Sequence, residues 1–289
     1  MRHVHTIPGV GAEPPGTLLL MPAWRPGLRG GIKTVSVFPG NATRALPALH
    51  STYLLFDAAT GAPLAFIDGD EITARRTAAA SALAASFLAR GDARRLLIVG
   101  AGRVASLMAA AMGAVRALDH VEVWARRPEA ARALAGELSR AGFDAVASTD
   151  LETAVRSADI VSCATLATTA LVQGAWLRPG AHLDLIGSFT PLMRESDAAC
   201  FARARVFTDT LEALAKAGDV LEAVREGHFA TGRLQGTLAD LCAGKVCGRA
   251  GTEEITLFKS VGTALEDLVA AEMVFDATRP AVRPADVNL

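Results

Sequence analysis

The sequence contains no run of basic residues, no apolar stretch of membrane-spanning length without a charge or a Gly/Pro interruption, and no Cys-x-x-Cys pair. The 29 basic residues are balanced by 30 acidic ones, for a formal net charge of −1. Nucleic acid and anionic membrane are therefore excluded as main partners, since both require concentrated positive charge. The lack of a long apolar stretch excludes a spanning helix, and the polar, His-containing opening is unlike a secretory signal, so a cytoplasmic location is expected. Cys163, Cys200, Cys242 and Cys247 are widely spaced. They read as reduced thiols packed as small hydrophobes, and no metal site is expected. No internal repeat or low-complexity tract is present beyond alanine-rich helical segments.

Hydrophobic residues make up 51% of the 289, enough to bury a large core and to form two domains. The most informative stretch is Leu96-Leu97-Ile98-Val99-Gly100-Ala101-Gly102-Arg103-Val104-Ala105. An apolar run meets a glycine pair and then a helical pattern, which is how a buried parallel strand enters a helix through a tight turn. Gly100 permits the turn and Gly102 lets a pyrophosphate approach the backbone, where first-turn N–H groups and the helix dipole stabilise its charge. Ala105 stands where a third glycine is common.

The same G-x-G-x-x-A also fits an ordinary strand-to-helix turn, so the setting decides. A helix is expected over residues 103–118 and a second strand over 121–124, the βαβ context that dinucleotide binding needs. An acid at the end of the second strand would bind the adenosine ribose, but the chain reads Trp124-Ala125-Arg126-Arg127-Pro128. Two guanidiniums suit a 2′-phosphate. NADPH is thus the expected cofactor, with NADH as the other candidate; the plainer reading of Arg126 and Arg127 is a solvated pair ahead of a helix.

Residues 1–70 read as β-rich, with short runs at 17–21, 31–38 and 52–57 and a hairpin through Asp57-Ala58-Ala59-Thr60-Gly61 into 63–67. A helix is expected over 71–90. From about 92 to 210 strands and helices alternate, with strands at 143–146, 159–163 and 181–186 and one at 205–208 closing the sheet. Residues 211–224 and 255–277 read as amphipathic helices, the last returning to the N-terminal region. The expected fold is a Rossmann-type doubly wound parallel sheet over 91–225. A second, β-rich α+β domain for substrate and dimerisation is expected from 1–90 with 226–289.

Three cations lie outside the nucleotide domain: Lys33 in a strand with β-branched apolar alternation, Arg76 on a helix of small residues, and Arg2 near the start. Taken singly, each also reads as a solvated or snorkelling charge. Small neighbours nevertheless allow close packing around the Arg76 guanidinium, as a carboxylate clamp needs. His3, His5 and His50 read either as pocket-lining or as structural.

The set Gly31-Ile32-Lys33-Thr34-Val35, Arg76-Thr77-Ala78-Ala79-Ala80-Ser81, Gly100-Ala101-Gly102-Arg103-Val104-Ala105 and Glu254-Ile255-Thr256-Leu257-Phe258-Lys259-Ser260-Val261-Gly262 resembles the ornithine cyclodeaminase/mu-crystallin family over nearly the whole chain. The resemblance implies a homodimer paired through the N-terminal β domain and a nicotinamide cofactor held against a small amino-acid-like substrate. It implies that Arg2 and Arg76 bind the substrate carboxylate, that Lys33 lies beside the reacting carbon and nitrogen, and that Thr77, Ala164, Thr165 and Ser260 contact the cofactor. Family members usually carry a helical segment ahead of the Arg2 motif, and this sequence begins at that motif, implying a truncated or late start.

One departure is informative. Cyclodeaminases and related alanine dehydrogenases carry an aspartate, with proline two residues later, where this chain has Phe189 in Gly187-Ser188-Phe189-Thr190-Pro191-Leu192-Met193-Arg194-Glu195. Without that carboxylate no base for deamination is evident. The sequence resembles the branch that reduces cyclic ketimines: Δ1-pyrroline-2-carboxylate to L-proline and Δ1-piperideine-2-carboxylate to L-pipecolate. The alternatives are a cyclodeaminase-type lyase, an alanine dehydrogenase-like enzyme, or a non-enzymatic NADPH and small-ligand binding protein like mu-crystallin.

Overall fold

A computed structural model describes residues 2–11 and 13–278. It opens with β1 (His3–Ile7), β2 (Gly16–Trp24), β3 (Arg29–Val37), β4 (Leu49–Asp57) and β5 (Pro63–Asp68), paired in that order as an antiparallel sheet. The β4–β5 hairpin forms where expected because Asp57 Oδ1 accepts from Ala59 N, Thr60 N and Thr60 Oγ1, while Gly61 takes φ +76°. That turn needs an aspartate first and a glycine last. Helix α1 (Gly69–Leu88) starts earlier than the apolar spacing suggests. The reason is Asp68, whose Oδ1 accepts from the amides of Asp70 and Glu71 and so satisfies two of the helix's first donors.

The chain continues through β6 (Arg95–Val99), α2 (Arg103–Gly113), β7 (His120–Trp124), α3 (Pro128–Arg140), β8 (Ala145–Ala147), α4 (Leu151–Ser157), β9 (Ile160–Cys163) and β10 (His182–Leu185). It then passes α5 (Ala198–Arg203), β11 (Ala204–Thr208), α6 (Ala213–Lys216), α7 (Gly218–Arg225), β12 (Gly236–Thr237), α8 (Leu238–Cys242), β13 (Ile255–Lys259) and α9 (Ala264–Thr278). Among the described residues the second sheet has the order β12-β11-β13-β10-β9-β6-β7-β8, and its pairs are parallel. The chain leaves β6 toward β7 and β8, then returns to place β9 on the other side. The switch point of this doubly wound sheet therefore lies between β6 and β9.

Three expectations are corrected. Residues 255–277 are not one helix: 255–259 form β13, and α9 begins only at Ala264. Nor does the 205–208 strand close the sheet, since β13 enters between β10 and β11 and β12 lies beyond. The chain divides into one compact unit of 1–76 with 263–289 and another of 77–262; the domains expected from the sequence are 1–90 with 226–289 and 91–225. Residues 279–289, within the expected second domain, lie outside the described residues. Ala78, Ala85 and Ala89 of α1 pack with Leu96 and Ile98 of β6, so this part of the helix belongs with the parallel sheet. The expected 211–224 helix is broken at Ala217 into α6 and α7.

In the first unit, α9 returns to the antiparallel sheet as expected. Leu268 and Ala271 pack with Tyr53, Leu55 and Ile72. In the second, successive strand residues serve opposite faces of the sheet. Leu97, Val99, Val161, Leu183 and Leu257 form one buried layer, and Leu96, Ile98 and Ile160 join Met108, Met112 and Leu134 in the other. Strands buried on both faces read as continuous apolar runs.

Candidate active site

Strand β3 alternates. Gly31, Lys33 and Val35 point to the buried face, and Lys33 is only 2% exposed. An ammonium so buried is costly unless paired and hydrogen-bonded. Its Nζ donates to Asp267 Oδ1 at 2.8 Å and to Thr73 Oγ1 at 3.0 Å. Arg76 lies three residues after Thr73 on α1, on the same helical face. Its Nε donates to the same Asp267 Oδ1 at 3.0 Å, and its Nη1 to Glu266 Oε2 at 2.7 Å.

The acidic side of this cluster is set by the start of α9. Thr263 Oγ1 accepts from Glu266 N, and Glu266 Oε2 accepts from Thr263 N, a reciprocal cap that fixes the first turn and presents Glu266 and Asp267 to the cations. Burial, first, and then the Arg76 charge push the Lys33 ammonium down to about 8, with Arg2 adding to the fall and Asp267 opposing it. Tyr53, the chain's one tyrosine, sits opposite Lys33 in the β3–β4 register. A side chain on Gly31 would overlap its ring, which explains the glycine two residues before Lys33. Burial and the charges of Asp267 and Glu272 push the phenol upward, so it stays protonated.

In the second unit the glycine bend has the geometry its motif implies. Gly100 takes φ +122°, and a Cβ there would lie 2.5 Å from Ala164 O and 3.3 Å from Thr165 Cγ2. Glycine is required both by conformation and by space. This approach brings Gly100, Ala164 and Thr165 together at the switch point. Gly102 is the N-cap of α2 without a side-chain hydrogen bond to the first turn, and a Cβ there would meet nothing within 4 Å. A helix start without a side-chain cap beside open space suits an anionic group, so Gly100, Ala101, Gly102, Arg103 and Val104 could hold a dinucleotide's pyrophosphate. Arg126 and Arg127 follow β7 and are exposed, with Arg127 Nε 3.9 Å from Glu129 Oε1. Thr77 follows Arg76 directly, and Ser260 follows β13, its amide donating to Leu185 O. His3, His5 and His50 are exposed.

Sequence reasoning assigned no role to Glu266 or Asp267, nor to the buried acids that hold the carboxyl edge of the parallel sheet. Glu195 Oε1 accepts from Thr165 N at 2.7 Å and Thr165 Oγ1 at 2.8 Å, while Oε2 accepts from Gly187 N at 2.6 Å. It thus straps the segment after β9 to the segment after β10. Burial, together with the Asp219 charge, pushes Glu195 up to about 7, opposed by Lys259 and by Thr165. Asp219 Oδ1 accepts from the amides of Glu195 and Ser196. Asp209 Oδ2 holds the amides of Val261 and Gly262 at 2.7 and 2.6 Å, fixing the turn that carries Ser260. Lys259, fully buried, donates to Leu185 O at 3.0 Å and lies 3.7 Å from Asp219 Oδ2. The signal for Lys259 was the one that singled out Lys33, a lysine inside an apolar strand.

The family model described as "Ornithine cyclodeaminase/mu-crystallin family" matches residues 6–281. The chain belongs to this family. It is 42% identical to the Δ1-pyrroline-2-carboxylate reductase of Paracoccus denitrificans over 282 residues, covering 95% of this chain and 89% of that one. Among solved structures, the Thermococcus litoralis Δ1-pyrroline-2-carboxylate reductase in complex with NADH and L-proline superposes with a TM-score of 0.86 at 35% identity, covering 90% of this chain and 82% of that one. An archaeal alanine dehydrogenase dimer with bound NAD gives a TM-score of 0.85 at 30% identity, covering 94% and 85%.

Proposed function

We propose that this protein is a ketimine reductase that converts Δ1-pyrroline-2-carboxylate to L-proline and Δ1-piperideine-2-carboxylate to L-pipecolate. The observation that carries the reading is the buried Lys33–Asp267–Arg76 cluster, joined through one carboxylate oxygen and set in a chain whose glycine bend fits a dinucleotide. A reduced nicotinamide bound at that bend supplies the hydride. Arg76, with Arg2, holds the substrate carboxylate through charge-assisted hydrogen bonds, each contributing about 1.5 to 3 kcal/mol. Lys33 faces the ring nitrogen. As hydride adds to C2 the C=N π pair moves onto nitrogen, which takes a proton from the Lys33 ammonium; solvent then restores that proton. The names of the Paracoccus and Thermococcus relatives support this substrate class, and Phe189 in place of an acid argues against the lyase.

NADPH as the preferred donor rests on Arg126 and Arg127, since the Thermococcus complex carries NADH. The proposed homodimer pairs through the antiparallel sheet. Pro22, Ile32, Leu54 and Phe66 are register neighbours in one row across it, on the face away from Lys33, and Phe66 is 79% exposed. An apolar row of this kind marks an interaction surface. The test is steady-state oxidation of NADPH and of NADH with the five- and six-membered imines. Turnover of neither ring with either donor overturns the reading, and ammonia release from ornithine with catalytic NAD would replace it by the lyase.

A further inference from the structure

The unusual feature of the first unit is how its charges are shared. One oxygen of one carboxylate, Asp267 Oδ1, accepts from both Lys33 Nζ and Arg76 Nε. Asp267 is 0% exposed, and its other oxygen, Oδ2, is buried without a hydrogen-bond partner among the described residues. The Tyr53 hydroxyl and Glu272 Oε1 are in the same condition. A buried carboxylate oxygen left without a donor is unfavourable, and a buried ion pair adds little stability over apolar residues of the same volume. Stability alone does not account for an acid at this place.

Geometry does account for it. The two cations come from different elements, Lys33 from β3 and Arg76 from α1, and each has a flexible stem. A single shared acceptor sets the distance between their charged ends more tightly than two separate acceptors would. Glu266 holds Nη1 of the same guanidinium and limits its rotation. Asp267 itself is locked by its place one residue after the Thr263–Glu266 cap.

Resting on the ketimine-reductase reading, we propose that Asp267 is the positioning residue of this centre: its Oδ1 fixes the Lys33 proton donor relative to the Arg76 carboxylate anchor, so that one small imino acid meets both at once. Among the described residues the groups facing Lys33 are Thr73 and Arg76 from α1, Asp267 from α9, its register partners Tyr53 of β4 and Met21 of β2, and the Arg2 charge ahead of β1; Glu266 of α9 holds Arg76, and Glu272 acts on Tyr53. Of these charges Asp267 is the one that favours the ammonium, and it touches it.

The chain has four lysines, Lys33, Lys216, Lys245 and Lys259, so the Lys33 ammonium can be followed without substrate, in intact protein labelled with [ε-13C]lysine, using K33R for assignment. In D267N the Lys33 midpoint should fall by about one pH unit or more, since an opposite charge in contact has been removed. The kcat for pyrroline-2-carboxylate should drop about a hundredfold, the scale expected of a misplaced reacting group. The alkaline limb of the pH profile should move to lower pH, while dinucleotide affinity stays unchanged. D267E, which keeps the charge but moves the oxygen by one methylene, should retain the Lys33 midpoint and still lose kcat; it also serves if D267N does not fold. A Lys33 midpoint unmoved in D267N, or a D267E enzyme with wild-type kcat, overturns the proposal. Absence of imine turnover by the wild type would overturn the ketimine reading instead, and the substrate-free titration would still judge Asp267.

Discussion

Each unit buries a lysine among acids, and the two clusters are built differently. Around Lys259 the acids hold backbone: Glu195 takes the amides of Thr165 and Gly187, Asp219 those of Glu195 and Ser196, and Asp209 those of Val261 and Gly262. Around Lys33 the bonds that join the cations to the acids run from side chain to side chain. A carboxylate engaged with amides holds loops in shape. Lys33, bonded to the side chains of Thr73 and Asp267, can turn part of its donor set toward a ligand. The partner atoms, more than burial or charge, separate an anchor from a working group.

That contrast can be broken at several points. Replacing Lys33 by methionine should lower kcat by about 10² to 10⁴, the contribution of a positioned proton donor, with little change in melting temperature; equal losses in both would make Lys33 an anchor too. D267L alone should destabilise the first unit by about 3 to 5 kcal/mol, because it leaves buried cations uncompensated. Adding K33M to D267L should recover much of that loss in a denaturant titration, and failure to recover would mean the pair is not energetically coupled. In the other cluster E195Q should cost about 1 to 3 kcal/mol, since one side of the amide must aim a donor at the N–H of Gly187 or Thr165. Its kcat per folded molecule should change far less than that of K33M. The wild-type rate should decline as pH rises past about 8, where Lys33 gives up its proton. The smallest effect is expected from R126A and R127A, which should weaken NADPH binding and leave NADH binding nearly unchanged.

Much of this architecture is legible in the sequence wherever a local rule and the tertiary structure agree. Val99-Gly100-Ala101-Gly102 reads as a bend because only glycine fits beside Ala164, and Lys33 stands out because it occupies an inward position of an alternating strand. Strand β13 is not legible as a strand. All five of its side chains are buried, so the alternation that marks a half-buried strand is missing, and a short apolar run next to a helical pattern reads as more helix. Asp267 escapes for another reason: acids in the first turns of a helix are favoured by the helix dipole wherever they face, so Glu266-Asp267 looks like ordinary helix-start chemistry. Its meaning appears only when Lys33, far away in sequence, arrives from β3.

The place of β13 also bears on how the molecule comes into being. A ribosome releases β11 long before residue 255, yet in the finished sheet β11 meets β10 only through β13. The nascent chain must therefore carry an open seam along its parallel sheet until residues 255–259 have been synthesised, exposing strand edges that invite pairing with other chains. A polypeptide cut short just before Ile255 would keep its glycine bend and still have no closed sheet to hold it.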